Sequence, residues 1–455
     1  MIRGGPDLTA RHGDDTHGSA GYTTALPQVF TSSLVSRVWF GTVAVLLVLG
    51  GAFANALILG VGLLLGATLG MAWLWTRYCL TGLTYERVLS PLQASWGEEL
   101  LLVIHVTNNK PLPLAWLEIA DEMPEEITST HGHRVHPYIH GRAALTWRLG
   151  LGWYERVTLR SVLHCNRRGA YTFGPVTLSA GDIFGLFSRT MTVNLPEHLL
   201  VYPRVVPVTA LGIPAREPFG DSRAVVPLVT DPLRPQGVRS YVPGDSPRFI
   251  HWRASARLGT LQTRVFDPAS TPQVWIFCDQ QTAVQIWEGI DEEAMELAIM
   301  VAASLAQHAL DEGYAVALAA NAFEQGSDQH VRLRPSTDPN HLTHILSTLA
   351  RLTGWSGIPI ELVLEGTRRT LPWGASIVVI TAQVSDWLLG VLDAARRAGY
   401  PVTLVQVRAH PPRPGDAPVG DFGLLGITYY QVNGSGPGIG SGKEGYLGIE
   451  ELALA

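Results

Sequence analysis

The run Gly237–Asp267, GVRSYVPGDSPRFIHWRASARLGTLQTRVFD, is the densest stretch of chemically committed side chains in the 455 residues. Between Arg234 and Arg264, six arginines (234, 239, 248, 253, 257 and 264) stand against one acid, Asp245. Something negative must meet such a surface, either an internal network of carboxylates or an external anionic or acidic protein face. Nucleic acid is disfavoured, because the net charge is −6 and no long basic run exists. Pro243-Gly244 reads as a turn. Asp245 or Ser246 can then cap a helix with Pro247 in its first turn, ending near Arg257 with Gly259 in the left-handed conformation. On one helix Arg253 and Arg257 share a face and repel by a few tenths of a kcal/mol, and Arg248 can lie over Trp252 as a cation–π pair. Trp252, the largest apolar group, is expected to turn inward with Arg253, leaving Arg248 and Arg257 more exposed.

Elsewhere the chemistry is sparse. No GKS/GKT phosphate loop, Gly-x-Ser-x-Gly elbow, His-Glu-x-x-His pair or dinucleotide fingerprint after a strand occurs. GPGIGSG near Gly436 has glycine spacing without strand–helix context and reads as linker. His131, His133, His136 and His140 cluster, but between strands and without consistent metal-ligand spacing, so a solvated hairpin loop is expected. Cys79, Cys165 and Cys278 are odd in number and widely spaced, which excludes a disulfide framework and suits a reducing compartment.

Hydrophobic residues make up 46% and charged residues 16%, and the mean hydropathy is +0.16, values that point to a membrane segment. Val38 to Trp75 carries no charge. As one helix it would span roughly 57 Å at ~1.5 Å per residue, against a hydrocarbon core of about 30 Å. Two shorter helices fit, with a break near Gly50-Gly51 and Asn55. Arg3, Arg11 and Arg37 precede them, Arg77 and Arg87 follow, and the connecting turn has no arginine, so both ends are expected in the cytoplasm.

The remaining elements follow from periodicity. Residues 1–34 read as a disordered arm and 35–78 as a two-helix transmembrane hairpin. Short alternating runs over 80–205 imply an antiparallel β-sandwich. Within it, GDIFGLF (181–187) reads as an aromatic plug, with Phe184 and Phe187 packed into the core. Residues 206–270 form a connector bearing the arginine-rich motif. Over 271–410, short apolar strands alternate with helices at 291–312, 341–352 and 387–398. This is the pattern of an α/β doubly wound, mostly parallel sheet. Residues 411–455 form a Gly/Pro-rich tail in which Tyr429-Tyr430 can close an edge strand. In such a sheet ligands gather at strand carboxyl ends, which singles out Asp279, after the buried strand Val274–Cys278.

Tyr241, Pro243, Gly244, Asp245, Arg248, Ile250, His251, Trp252, Arg253, Ser255, Ala256 and Arg257 together resemble the signature of the bacterial family catalogued as domain of unknown function 58. The family usually has an aspartate where this chain has His251. The resemblance implies a von Willebrand factor A-like C-terminal domain, and a MoxR-type AAA+ ATPase as partner. It makes Tyr241, Gly244, Asp245, Arg248, Trp252, Arg253, Ser255 and Arg257 the expected partner-binding set. It also implies an Asp-x-Ser-x-Ser metal loop at Asp279, Gln281 and Ala283. Only the first of those positions keeps its oxygen ligand type, with Thr282 and Thr381 as substitutes, so any Mg²⁺ site is degenerate. The expectation is a multi-pass plasma-membrane protein, non-enzymatic, with cytoplasmic soluble domains, binding a protein partner and needing no cofactor. The alternative is a metal-dependent hydrolase using the Asp279 loop.

Overall fold

The computed structural model describes residues 29–32, 34–135, 141–214, 219, 230–243, 245–268, 272–282, 290–327, 329–355, 357–410 and 426–434. The arm at 1–28 and most of the tail lie outside them. The protein is multidomain and β-rich, with apolar helices near its N-terminus. It divides into two units. One comprises Met1–Leu92, Glu99–His164 and Thr172–His198; the other comprises Gln93–Glu98, Cys165–Tyr171 and Leu199–Ala455.

In the first unit two apolar helices pack together, α1 (Leu34–Ala52) and α2 (Ala56–Tyr78). The chain reverses at Phe53–Asn55, and the Asn55 side chain caps α2 by accepting the Leu57 N–H at 3.0 Å. Close packing depends on small residues: a Cβ on Gly50 would stand 2.7 Å from the Leu59 backbone nitrogen. Helix α2 is long and apolar enough to cross a membrane, with only 17% of its apolar window buried, and over its described side chains α1 supplies a shorter apolar helix, Arg37–Ala52. A core helix of a soluble domain would be mostly covered.

The rest of this unit is two antiparallel sheets. One orders Leu83–Ser90, Glu99–Asn108, Arg156–His164 and Thr128–Ser129. The other orders Val29–Ser32, Phe187–Val193, Val176–Gly181, Leu114–Pro124, Arg142–Leu151 and His133–Val135. Alternate residues are buried along Leu83–Ser90 and Glu99–Asn108, as period-two sequences require. Between the sheets lies a buried polar group. Arg87 Nη1 meets Asp121 Oδ1 at 2.6 Å, its Nε meets Glu197 Oε2 at 2.9 Å, and Tyr85 donates its hydroxyl to Asp121 Oδ2 at 2.9 Å.

The second unit is built on a sheet ordered His330–Ser336, Ala315–Glu324, Gln273–Cys278, Ser376–Thr381, Val402–Arg408 and Thr428–Asn433. The last five strands pair in parallel. Leu352–Trp355 joins the Ala315–Glu324 strand antiparallel. One face packs α4 (Glu292–Asp311) and α5 (His341–Ala350) against Val274, Ile276 and Val316. The other packs α6 (Ile360–Arg368) and α7 (Asp386–Arg397) against Trp275, Phe277 and Ala317. Asp291 caps α4, accepting from the Glu293 and Ala294 N–H groups. Arg168 is a clamp in this unit. Its guanidinium donates to the Leu349 carbonyl at 3.0 Å and pairs with Glu296 at 2.9 Å. The carbonyls left open at the end of α5 thereby gain a cation.

Candidate functional site

The arginine-rich run folds as a hairpin of Thr230–Ser240 with Gln262–Pro268 carrying a short helix, α3 (Trp252–Leu258), between its strands. The single helix expected from Asp245 to Arg257 is two pieces. A 3₁₀ turn covers Pro247–Phe249, and the extended Ile250 and the non-helical His251 separate it from α3. The break is fixed by strand contacts: His251 donates its N–H to the Gln262 carbonyl at 2.8 Å, and Ile250 bridges Thr263. Because the helix is interrupted, Arg248 and Trp252 do not share a face and form no cation–π pair. Gly259 ends α3 in the left-handed region, φ +69°.

His251 sits at the α3 N-cap, where its Nδ1 accepts the Ala254 N–H at 3.0 Å. An imidazole nitrogen thus fills the acceptor role of a capping carboxylate. Ser255 is the clasp. Its hydroxyl donates to the His251 carbonyl at 3.0 Å and accepts the Gln262 N–H at 2.8 Å, tying helix to hairpin. Asp245 caps no helix. It accepts from Arg239 Nη2 at 2.7 Å and from the Val242 N–H at 3.1 Å, and the Arg239 bond first, then the backbone bond, hold its carboxyl below the usual range. Tyr241 donates its N–H to the Leu261 carbonyl. Gly244 lies outside the described residues.

Trp252 overturns the inward expectation: it is 69% exposed. The clasp explains why. Ser255 takes the inward side of α3, and a seven-residue helix has one such side. Arg248, Arg253 and Arg257 are exposed as well, and among the described residues no carboxylate lies within ion-pair distance of any of them. Among the motif arginines whose side chains are described, Arg239 alone has found an acid, and it belongs to the hairpin strand.

Asp279 follows the Gln273–Cys278 strand at the carboxyl end of the sheet. The chain leaves that strand toward Ala315–Glu324 on one side and returns to Ser376–Thr381 on the other, so Asp279 stands where strand order reverses. It is buried. Its Oδ1 accepts the Gln281 N–H at 2.9 Å and Asn321 Nδ2 at 2.7 Å, and its Oδ2 lies 2.6 Å from Thr381 Oγ1. Thr381 Oγ1 is also 2.7 Å from the Gln383 carbonyl and accepts the Gln383 N–H. One hydroxyl proton cannot serve both acceptors. A protonated Asp279 satisfies every contact, donating to Thr381, which then donates to Gln383. Burial favours that form and lifts the carboxyl to about 6. Thr282 turns aside, its hydroxyl accepting the Asp291 N–H at 2.8 Å. Ala283 lies outside the described residues. Asn321, which no sequence pattern flagged, fills the loop by donating to Asp279 and accepting the Gln280 N–H at 2.8 Å. Among the described residues no three His, Cys, Asp or Glu side chains gather as metal ligands; His136 and His140 lie outside them.

Residues 237–427 match the family described as Protein of unknown function DUF58. This stretch is a DUF58 segment. The match opens at Gly237, on the hairpin strand that leads into the signature, and ends at Ile427, just before the last parallel strand. The uncharacterized protein YeaD of Bacillus subtilis is similar to this chain, 26% identical over 344 residues that span 73% of this chain and 78% of the relative. Among solved structures, a CARDB domain from Pyrococcus furiosus is matched at 15% identity and a TM-score of 0.17, over 26% of this chain and 86% of that one. The sporulation control protein Spo0M of Bacillus subtilis is matched at 13% identity and a TM-score of 0.17, over 27% and 50%. Likenesses this distant carry no argument about fold or function.

Proposed function

We propose that this chain is a membrane-anchored interaction protein, whose helices α1 and α2 both cross the bilayer and whose signature hairpin docks an acidic face of a partner protein. Trp252 carries the partner half of the reading. An indole 69% exposed, beside arginines that have no acid partner among the described residues, is the composition of an interface hot spot rather than of a resting surface. Leu258, Leu261 and Val242 are exposed on the same hairpin and extend the apolar part. The parallel sheet with Asp279 after its first strand agrees with a von Willebrand factor A-like domain. Protein groups already engage both oxygens of Asp279, which favours an interaction module over a metal-dependent hydrolase. The resemblance makes a MoxR-type AAA+ ATPase the first partner to test.

Arg253→Glu and Trp252→Ala should each weaken capture of that ATPase by the detergent-solubilised chain at least about tenfold, or about 1.4 kcal/mol. Stability should shift by less than about 0.5 kcal/mol, as for most surface substitutions. Residual binding of Arg253→Glu should depend less on salt. Variants that bind like the parent would remove the signature from the interface.

The anchor half rests on dimensions and exposure. The 19 residues of α1 span about 28 Å at ~1.5 Å per residue, close to the ~30 Å hydrocarbon core. Val38, Val48, Leu57 and Leu64 face outward and uncovered. The arginine distribution puts the soluble units in the cytoplasm. A reporter active only outside the cytoplasm should be silent when fused after Ser90 and active when inserted at Gly51. Activity after Ser90 would reverse the orientation.

A further inference from the structure

Strand register identifies one end of the sandwich with the helices. Leu83, five residues past the end of α2, pairs with Asn108, and Thr107 pairs with Arg156. Asn108 Nδ2 donates to the Leu112 and Gly152 carbonyls at 3.0 and 2.7 Å, which brings the second sheet's ends to the same place. Ala180 pairs with Leu117, so the 182–187 loop leaves from that end too. Two loops here carry large exposed apolar side chains at their tips. Trp153 and Tyr154 are 73% and 69% exposed; Ile183 and Phe184 are 66% and 67% exposed.

Neither tip is loose. In the second loop the buried Asp182 carboxylate accepts the Phe184, Leu186 and Phe187 N–H groups. A Cβ on Gly181 would run into the Phe187 carbonyl and the Trp116 ring, and Trp116 donates its indole N–H to the Asp182 carbonyl at 3.2 Å. In the first loop Glu155 turns back to accept the Gly152 N–H. The structure therefore holds these four side chains outward. Phe184 is not the core plug that its sequence suggested; only Phe187 packs inward, against Val43, Leu69 and Ala72 of the helices. That contact sets the height of the loop. Ala72 lies about 9 Å along α2 from Tyr78 at ~1.5 Å per residue, beside Trp73 and Trp75. Cations stand at the same level: Arg189 donates to the Arg77 carbonyl at 2.5 Å, and Lys110 Nζ to the Cys79 carbonyl at 2.5 Å.

We propose that the tips Trp153–Tyr154 and Ile183–Phe184 insert into the cytoplasmic interface of the bilayer and seat the sandwich on the membrane. The inference rests on the reading of α1 and α2 as membrane helices. Its occupant is lipid, because the tips adjoin a helix of spanning length and share its aromatic and cationic belt. Aromatic rings favour the headgroup level, and cations beside them complement lipid phosphates.

The test uses the full chain in phosphatidylethanolamine–phosphatidylglycerol vesicles. Phe184→Cys and Trp153→Cys are labelled separately with an environment-sensitive fluorophore, without denaturant, so that the buried Cys79, Cys165 and Cys278 stay unlabelled. Leu64→Cys on α2 reports whether the helix is in the bilayer, and Leu92→Cys reports the far end of the sandwich. Labels at 184 and 153 should be blue-shifted, quenched by spin-labelled lipid with a shallow nitroxide and protected from aqueous iodide. The label at 92 should show the reverse. Quenching at 64 with free iodide access at 184 and 153 would sink the proposal and leave the helix reading standing. Protection at 184 and 153 without lipid quenching would mean that protein covers the tips, and would also overturn it. No lipid quenching at 64 would remove the anchor and the seat together.

Discussion

Arg87→Met should lower stability by about 3–5 kcal/mol at about pH 8, the usual consequence of leaving a buried charge without its partner. The side chains of Arg87 and Asp121 are 1% and 2% exposed, and the guanidinium also serves Glu197 and the Leu195 carbonyl. Burial lifts the Asp121 carboxyl to about 6 even with Arg87 beside it. Its folded value therefore lies above the unfolded 3.8, so its contribution is fully present below the unfolded value and is lost as pH rises through about 6. Removing the guanidinium takes away the main force opposing burial, and the carboxyl must then be ionised at greater cost or held neutral. The deficit of Arg87→Met should accordingly be smaller at about pH 5 than at about pH 8. Thermal unfolding of the detergent-solubilised chain at both pH values checks the size and the sign. A variant that melts like its parent at the higher pH would mean that the pair is dispensable.

Asn321→Ala should cost about 2–4 kcal/mol, because it strands the buried Gln280 N–H, at about 1–3 kcal/mol, and takes from Asp279 Oδ1 one of its two donors, leaving only the Gln281 N–H. The amide also donates to the Ile358 carbonyl at 3.1 Å, so the substitution loosens the loop on three sides. Asp279 gives the companion result. With its folded value near 6 against 3.8 unfolded, it too favours the fold below about 4 and loses that contribution as pH rises through 6. Asp279→Asn has nothing to titrate, so its stability should change less than the parent's between about pH 4 and 7. The Asp121 slope remains in both chains. If Asp279→Asn keeps the full slope, the carboxyl is already ionised in that range and the shared-proton geometry is wrong. If Asn321→Ala unfolds like the parent, Asp279 does not depend on that amide.

Much of this protein was written locally. The uncharged run Val38–Trp75 contained its own reversal, since Asn55 can cap a helix and Gly50 lets two helices touch. Period-two burial produced the antiparallel sheets, and apolar runs separated by amphipathic stretches produced the parallel strands with helices on both faces. The signature residues, all within the run from Tyr241 to Arg257, carried the family resemblance in the sequence itself. What they do could not be read there, because direction depends on partners distant in sequence. Trp252 looked like a core anchor until Ser255 and Gln262 decided which side of α3 faces the hairpin. Phe184 and Phe187 are equivalent in sequence, yet the hydrogen bonds to Asp182 turn one outward and the helices bury the other. Arg87 read as a charge that sets topology, and folding placed it between two sheets opposite Asp121, 34 residues away. Asn321 had no local signal, because its role comes from the parallel pairing that lays its strand beside Asp279. Composition and periodicity determined which elements form; the pairing of buried polar atoms, satisfiable only in three dimensions, decided which way the reactive side chains point.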